Sequence, residues 1–113
     1  MSQITTHVLD TAIGRPAAGV DVTLSHKGRD GWQDIAAGRT DADGRVADLL
    51  GADRQLDAGV YRMHFATGAY LEQRDAMSFY PFVDVVFVLE QGGEHYHIPL
   101  LLSPFGYTTY RGS

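Results

Sequence analysis

Turn-forming clusters punctuate this chain about every ten residues, the spacing that separates short strands in sandwiches and barrels. They are Ile13-Gly14-Arg15-Pro16, Lys27-Gly28-Arg29-Asp30-Gly31, Asp41-Ala42-Asp43-Gly44, Gln91-Gly92-Gly93 and Ser103-Pro104-Phe105-Gly106. Between them the apolar residues alternate. Val20, Val22 and Leu24 fall on one face, with Asp21 and Thr23 on the other, as a half-buried strand requires. Tyr61, Met63 and Phe65 repeat the pattern against Arg62 and His64. The runs 84–89 and 98–102 are almost continuously apolar, which predicts strands buried on both faces or paired with another subunit. The expected fold class is therefore all-β, with strands near 3–9, 20–26, 32–39, 45–47, 59–67, 82–90, 95–102 and 106–111. The stretch AYLEQRDAM, 69–77, holds good helix formers without Gly or Pro and predicts one short helix.

At 113 residues the chain is the size of one domain, spanning 1–113, with no repeat or linker. Nucleic acid is excluded as a partner, because the formal charge is −5 and the nine Lys and Arg are scattered rather than clustered. No apolar window approaches the roughly 18 residues of a membrane helix, so no membrane partner is expected. The absence of Cys rules out disulfides and thiolate zinc sites and fits a reducing compartment. With no charged-then-apolar leader in MSQITTHVLD, the expected location is cytoplasmic.

Three groups of residues can carry chemistry. His95 and His97 project from the same face of a strand, roughly 6.5 to 7 Å apart along it. An imidazole with a pKa near 6.5 serves general acid and base work without a metal. Together with His7 in the first strand, the pair could instead hold zinc if the two strands meet. The second group is Asp41-Ala42-Asp43-Gly44, which opens like a calcium loop but then places Arg45, Val46 and Ala52 where ligands or a glycine are needed. It reads as a tight turn with Gly44 at positive φ, and it sets Arg45 at the start of a strand. The third is the terminal Tyr110-Arg111-Gly112-Ser113. The aromatic residues Phe105, Tyr107 and Tyr110 are expected to tie this end down and hold Arg111 and the Ser113 carboxylate in place.

Four segments together, ITTHVLDTAIGRPAAGVDVTL, TDADGRV, SFYPFVDVVF and HYHIPLLLSPFGYTTYRGS, resemble one family over the whole chain. The chain is similar to the 5-hydroxyisourate hydrolases, the transthyretin-related enzymes of urate breakdown. The terminal YRGS is the specific element, since the hormone-carrying transthyretins lack it together with the histidines.

The resemblance implies a transthyretin-like sandwich of two four-stranded antiparallel sheets with one short helix, assembled as a homotetramer, a dimer of dimers. It implies a small-molecule substrate, 5-hydroxyisourate, opened hydrolytically to 2-oxo-4-hydroxy-4-carboxy-5-ureidoimidazoline without cofactor or resident metal. Carried over residue by residue, the catalytic positions are His7, Arg45 and His97. The substrate-binding positions are Tyr110, Arg111, Gly112 and Ser113, with His95 in support. Two other readings of the same residues are a transthyretin-like binding protein without catalysis and a zinc hydrolase using the three histidines.

Overall fold

The computed structural model describes residues 2–112. Its strands are β1 (Ile4–Asp10), β2 (Arg15–Pro16), β3 (Asp21–Gly28), β4 (Gly31–Arg39), β5 (Gly59–Phe65), β6 (Val83–Leu89), β7 (Tyr96–Ser103) and β8 (Gly106–Thr109). One helix, α1, covers Thr67–Gln73. Two four-stranded sheets, ordered β2-β1-β7-β8 and β4-β3-β5-β6, face each other. The alternation seen in the sequence supplies the core between them. Ile4, Val8, Val22, Leu24, Met63, Phe65 and Leu100 are buried, each contributing about 1.5 to 3 kcal/mol through removal from water.

Four features differ from the sequence expectation. First, β1 and β7 pair in parallel, Ile4 opposite Tyr96 through Asp10 opposite Leu102, so the sheets are not antiparallel throughout. The pair joins opposite ends of the chain, and the intervening domain serves as the long crossover a parallel pair requires. Second, no strand forms at 45–47. The Arg45 N–H donates to the Asp41 carboxylate at 3.1 Å, and its carbonyl accepts from the Asp41 N–H at 2.8 Å, so the turn consumes the groups a ladder would use. The short β2 takes the edge of that sheet instead, where Pro16 costs no ladder hydrogen bond. Third, α1 starts two residues early and stops at Gln73, because Asp75 turns to φ 57° and ends it. Fourth, β6 is an edge strand whose Val86 and Val88 are 56% and 65% exposed, so it is not buried on both faces within one chain.

A buried polar link fastens α1 to the end of β1. The Asp10 carboxylate, 1% exposed, accepts from the Tyr70 hydroxyl at 2.8 Å and the Ala12 N–H at 3.1 Å, with Arg74 Nε at 3.4 Å. Burial, reinforced by that carboxylate, pushes the Tyr70 hydroxyl up to about 12, which keeps it a donor at any working pH. Tyr70→Phe removes a hydrogen bond to a charged group and is expected to lower unfolding stability by about 1.5 to 3 kcal/mol. Urea denaturation measures this; a midpoint unchanged from wild type would show the link to be idle.

No helix among the described residues is long and apolar enough to cross a membrane.

Candidate active site

The histidine cleft is built on the outward face of the β1–β7 pair. Along β1, Ile4, Thr6 and Val8 point into the core, which leaves Thr5 and His7 half-buried on the other side. The parallel register sets Thr5 beside His97 and His7 beside Pro99. His95, just ahead of β7, shares the face of His97, and their rings lie 6.4 Å apart with only 22° between planes. Between the two imidazoles stands the Thr5 hydroxyl, 2.8 Å from His95 Nε2 and 2.8 Å from His97 Nδ1. Thr5 was not singled out from the sequence.

Arg45 arrives from the turn after β4. The Val8 N–H donates to the Gly44 carbonyl at 2.8 Å, and His7 and Arg45 form an antiparallel bridge. Gly44 takes φ 75°, and a Cβ at this position would collide with the Val8 carbonyl oxygen, so a side chain fits there neither sterically nor torsionally. Arg45, Thr5, His95 and His97 line a cleft of about 600 Å³, with the Asp41 and Asp48 carboxylates at its border.

These surroundings act on His97. Burial holds its imidazole below the ordinary histidine range, and the Arg45 guanidinium, His95 and His7 push in the same direction. A backbone hydrogen bond with Thr5 works the other way. The result is a half-buried ring that is neutral near pH 7, with a lone pair available as a base and a cation close by.

The carboxyl-terminal residues divide. Gly112 lies against His97: its N–H donates to the His97 carbonyl at 2.9 Å, and a Cβ at this position would stand 2.5 Å from His97 Cδ2. The imidazole occupies the volume a side chain would need, so any larger residue at 112 would have to displace the His97 ring. Tyr110 and Arg111 do not line the histidine cleft of their own chain. They line a second cavity of about 260 Å³ between β6, β7 and β8. The Arg111 guanidinium sits 4.3 Å over the Tyr96 ring and 2.9 Å from the Glu94 carboxylate. Ser113 lies outside the described residues. Among the described residues no three His, Asp or Glu side chains group so as to hold a metal ion, and His7, His95 and His97 do not form such a set.

A half-buried neutral imidazole, a neighbouring guanidinium and a second histidine in an open cleft, with His7 bridged to Arg45 alongside, suit hydrolysis at a carbonyl carbon. One group accepts a proton from water, a cation faces the developing oxyanion, and another imidazole supplies a proton to the leaving atom.

Comparison with known proteins agrees with this geometry. The HIUase/Transthyretin family model matches residues 4–112. A 5-hydroxyisourate hydrolase of Caulobacter vibrioides is 47% identical over 117 aligned residues, covering all of both chains. Among solved structures, the Klebsiella pneumoniae 5-hydroxyisourate hydrolase superimposes with a TM-score of 0.84 at 37% identity, covering 97% of this chain and 98% of that one. Sea bream transthyretin in complex with thyroxine gives a TM-score of 0.92 at 40% identity, covering 98% and 95%. The chain thus belongs to the HIUase/Transthyretin family.

Proposed function

We propose that the protein hydrolyses 5-hydroxyisourate to 2-oxo-4-hydroxy-4-carboxy-5-ureidoimidazoline, opening the six-membered ring at its amide-like C–N bond. The observation that carries this reading is that Arg45 and His97 line one cleft, with His7 bridged to Arg45 beside it and His97 half-buried and depressed in pKa. A carrier of an apolar hormone has no use for a positioned base beside a guanidinium. In the proposed reaction one of His97 and His7 takes the proton of the attacking water, whose oxygen bonds to the ring carbonyl carbon. Arg45 pairs with the oxyanion so formed, and the second imidazole protonates the nitrogen as the C–N bond breaks.

The same reading includes a homotetramer, a dimer of dimers. Its support is the pair of edge strands β6 and β8, which flank one cavity and expose Val86, Val88 and Tyr107. Bare edges of this kind invite pairing with a second chain. The same reading assigns substrate binding to Tyr110, Arg111, Gly112 and Ser113, with His95 in support.

The test is absorbance decay of freshly generated 5-hydroxyisourate, measured against spontaneous decay before and after exhaustive chelation. Acceleration that survives chelation is expected; no acceleration overturns the proposal, and loss on chelation favours the zinc-hydrolase reading. Light scattering on the same sample is expected to give four times the 12.4 kDa of one chain. A monomer mass would sink the assembly.

A further inference from the structure

We propose that the Thr5 hydroxyl is a positioning and relay group that fixes matching tautomers on His95 and His97 and passes a proton between them. The proposal rests on the hydrolytic reading for its kinetic consequence, though not for its geometry. Thr5 Oγ1 lies within hydrogen-bond distance of His95 Nε2 and His97 Nδ1 at once, 2.8 Å in each case. A hydroxyl has one proton to give and lone pairs to accept with. When both rings are neutral and the Thr5 proton is directed to one of them, Thr5 donates to that ring nitrogen and accepts from the other. The two tautomers are locked to each other, and neither ring can choose independently.

Two arrangements satisfy the lock. In one, His97 carries its proton on Nδ1 and gives it to Thr5, which donates to His95 Nε2; His97 Nε2 is then a bare lone pair. In the other, His97 carries the proton on Nε2 and has no base to offer on that side. Hydrolysis needs the first. Once His97 Nε2 takes a proton from water, the ring is a cation, half-buried and beside Arg45, where a positive charge is disfavoured. The hydrogen-bonded line offers an exit. The Nδ1 proton moves to Thr5 Oγ1 as the Thr5 proton moves to His95 Nε2. One proton passes from His97 to His95, Thr5 is unchanged, and the charge rests on the exposed ring of His95. The other groups facing this line are His7 from β1, Arg45 from the turn, and the Asp41 and Asp48 carboxylates at the border of the cleft.

The hydroxyl also stands where a strand residue does not need one. Thr5 is on the outward face of β1, and valine would serve its backbone equally well. Thr5→Val keeps the shape and the β-branch and removes only the relay; Thr5→Ser restores the hydroxyl. Nitrogen-15 spectra of histidine-labelled protein report the tautomer of each ring directly. The wild type is expected to show neutral His97 protonated at Nδ1, and Thr5→Val a mixture of tautomers at His97. In parallel, Thr5→Val should lose about 10- to 100-fold in kcat, part of the 100- to 10,000-fold that general acid–base catalysis supplies. KM should stay within about twofold, the acid limb of the kcat profile should shift, and Thr5→Ser should recover most of the rate. A wild-type His97 protonated at Nε2, or a Thr5→Val protein with unchanged tautomers and kcat, overturns the proposal. If the wild type fails to hydrolyse 5-hydroxyisourate at all, the function reading falls while the spectra still decide the lock. Should Thr5→Val not fold, the wild-type spectrum and Thr5→Ser decide it alone.

Discussion

Replacing His97 with asparagine is expected to lower kcat for ring opening by about 100- to 10,000-fold, the range that a positioned proton acceptor contributes. Asparagine keeps a side chain that can bond Thr5 and leaves the volume over Gly112 filled, so the sheet should fold as before. What disappears is a lone pair able to take a proton from water. The wild-type pH profile carries the same information. Because His97 titrates below the ordinary range, it remains the neutral base when a free imidazole would already be half protonated, and the acid limb of kcat/KM should lie below about pH 6.5. The sign for folding is consistent. Between the lowered native value and the unfolded one, the unfolded chain binds more protons, so the stability owed to neutral His97 shrinks as pH falls through 6.5. Rates for His97→Asn within a few-fold of wild type, or a wild-type limb at or above 6.5, would move the role of base to His7 or elsewhere.

The sequence made the strand alternation legible because each signal is local. Val22 with Leu24, and Met63 with Phe65, fell into the core as the period of two required. His7, Arg45 and His97 were legible as chemistry because imidazoles and a guanidinium interrupt apolar strands or follow a tight turn. Their partners were not. Thr5 reads as an ordinary strand residue until the parallel register with β7 sets it beside His97, and that register links positions 92 apart with no local mark in the chain. The hold on Arg45 was hidden for a related reason: the Asp41 carboxylate takes the Arg45 N–H, which removes the strand expected at 45–47 while fixing Arg45 more firmly than a strand start would. Alternation of aromatics suggested that Phe105, Tyr107 and Tyr110 hold the chain end, but these three are exposed, and Gly112 is held by its own N–H on the His97 carbonyl. The alternation gave no indication that Arg111 would turn aside to Tyr96 and Glu94, partners 15 and 17 positions earlier in the chain.

Arg45→Ala is expected to reduce kcat by about 100- to 1,000-fold, the loss that follows removal of one oxyanion partner. The reason for expecting a kinetic rather than a folding effect is that, among the described residues, the hydrogen bonds of Arg45 are made by its backbone. The Arg45 N–H and carbonyl both bond Asp41, and the preceding carbonyl of Gly44 bonds the Val8 N–H, all of which survive truncation of an exposed side chain. In the proposed mechanism the guanidinium acts through charge, and the charge has two targets. One is the oxygen that becomes negative in the transition state, where the interaction strengthens as the reaction proceeds and so registers in kcat more than in KM. The other is His97, which Arg45 helps to hold neutral. Removing the cation should therefore move the acid limb of the remaining activity upward, toward the ordinary imidazole value, whereas His97→Asn should abolish that limb. Arg45→Lys restores charge without the planar fork and should recover the limb more fully than the rate. Arg45→Ala with a wild-type rate would leave the oxyanion without the partner assigned to it, and an unmoved limb would mean that the guanidinium is too well solvated to act on His97.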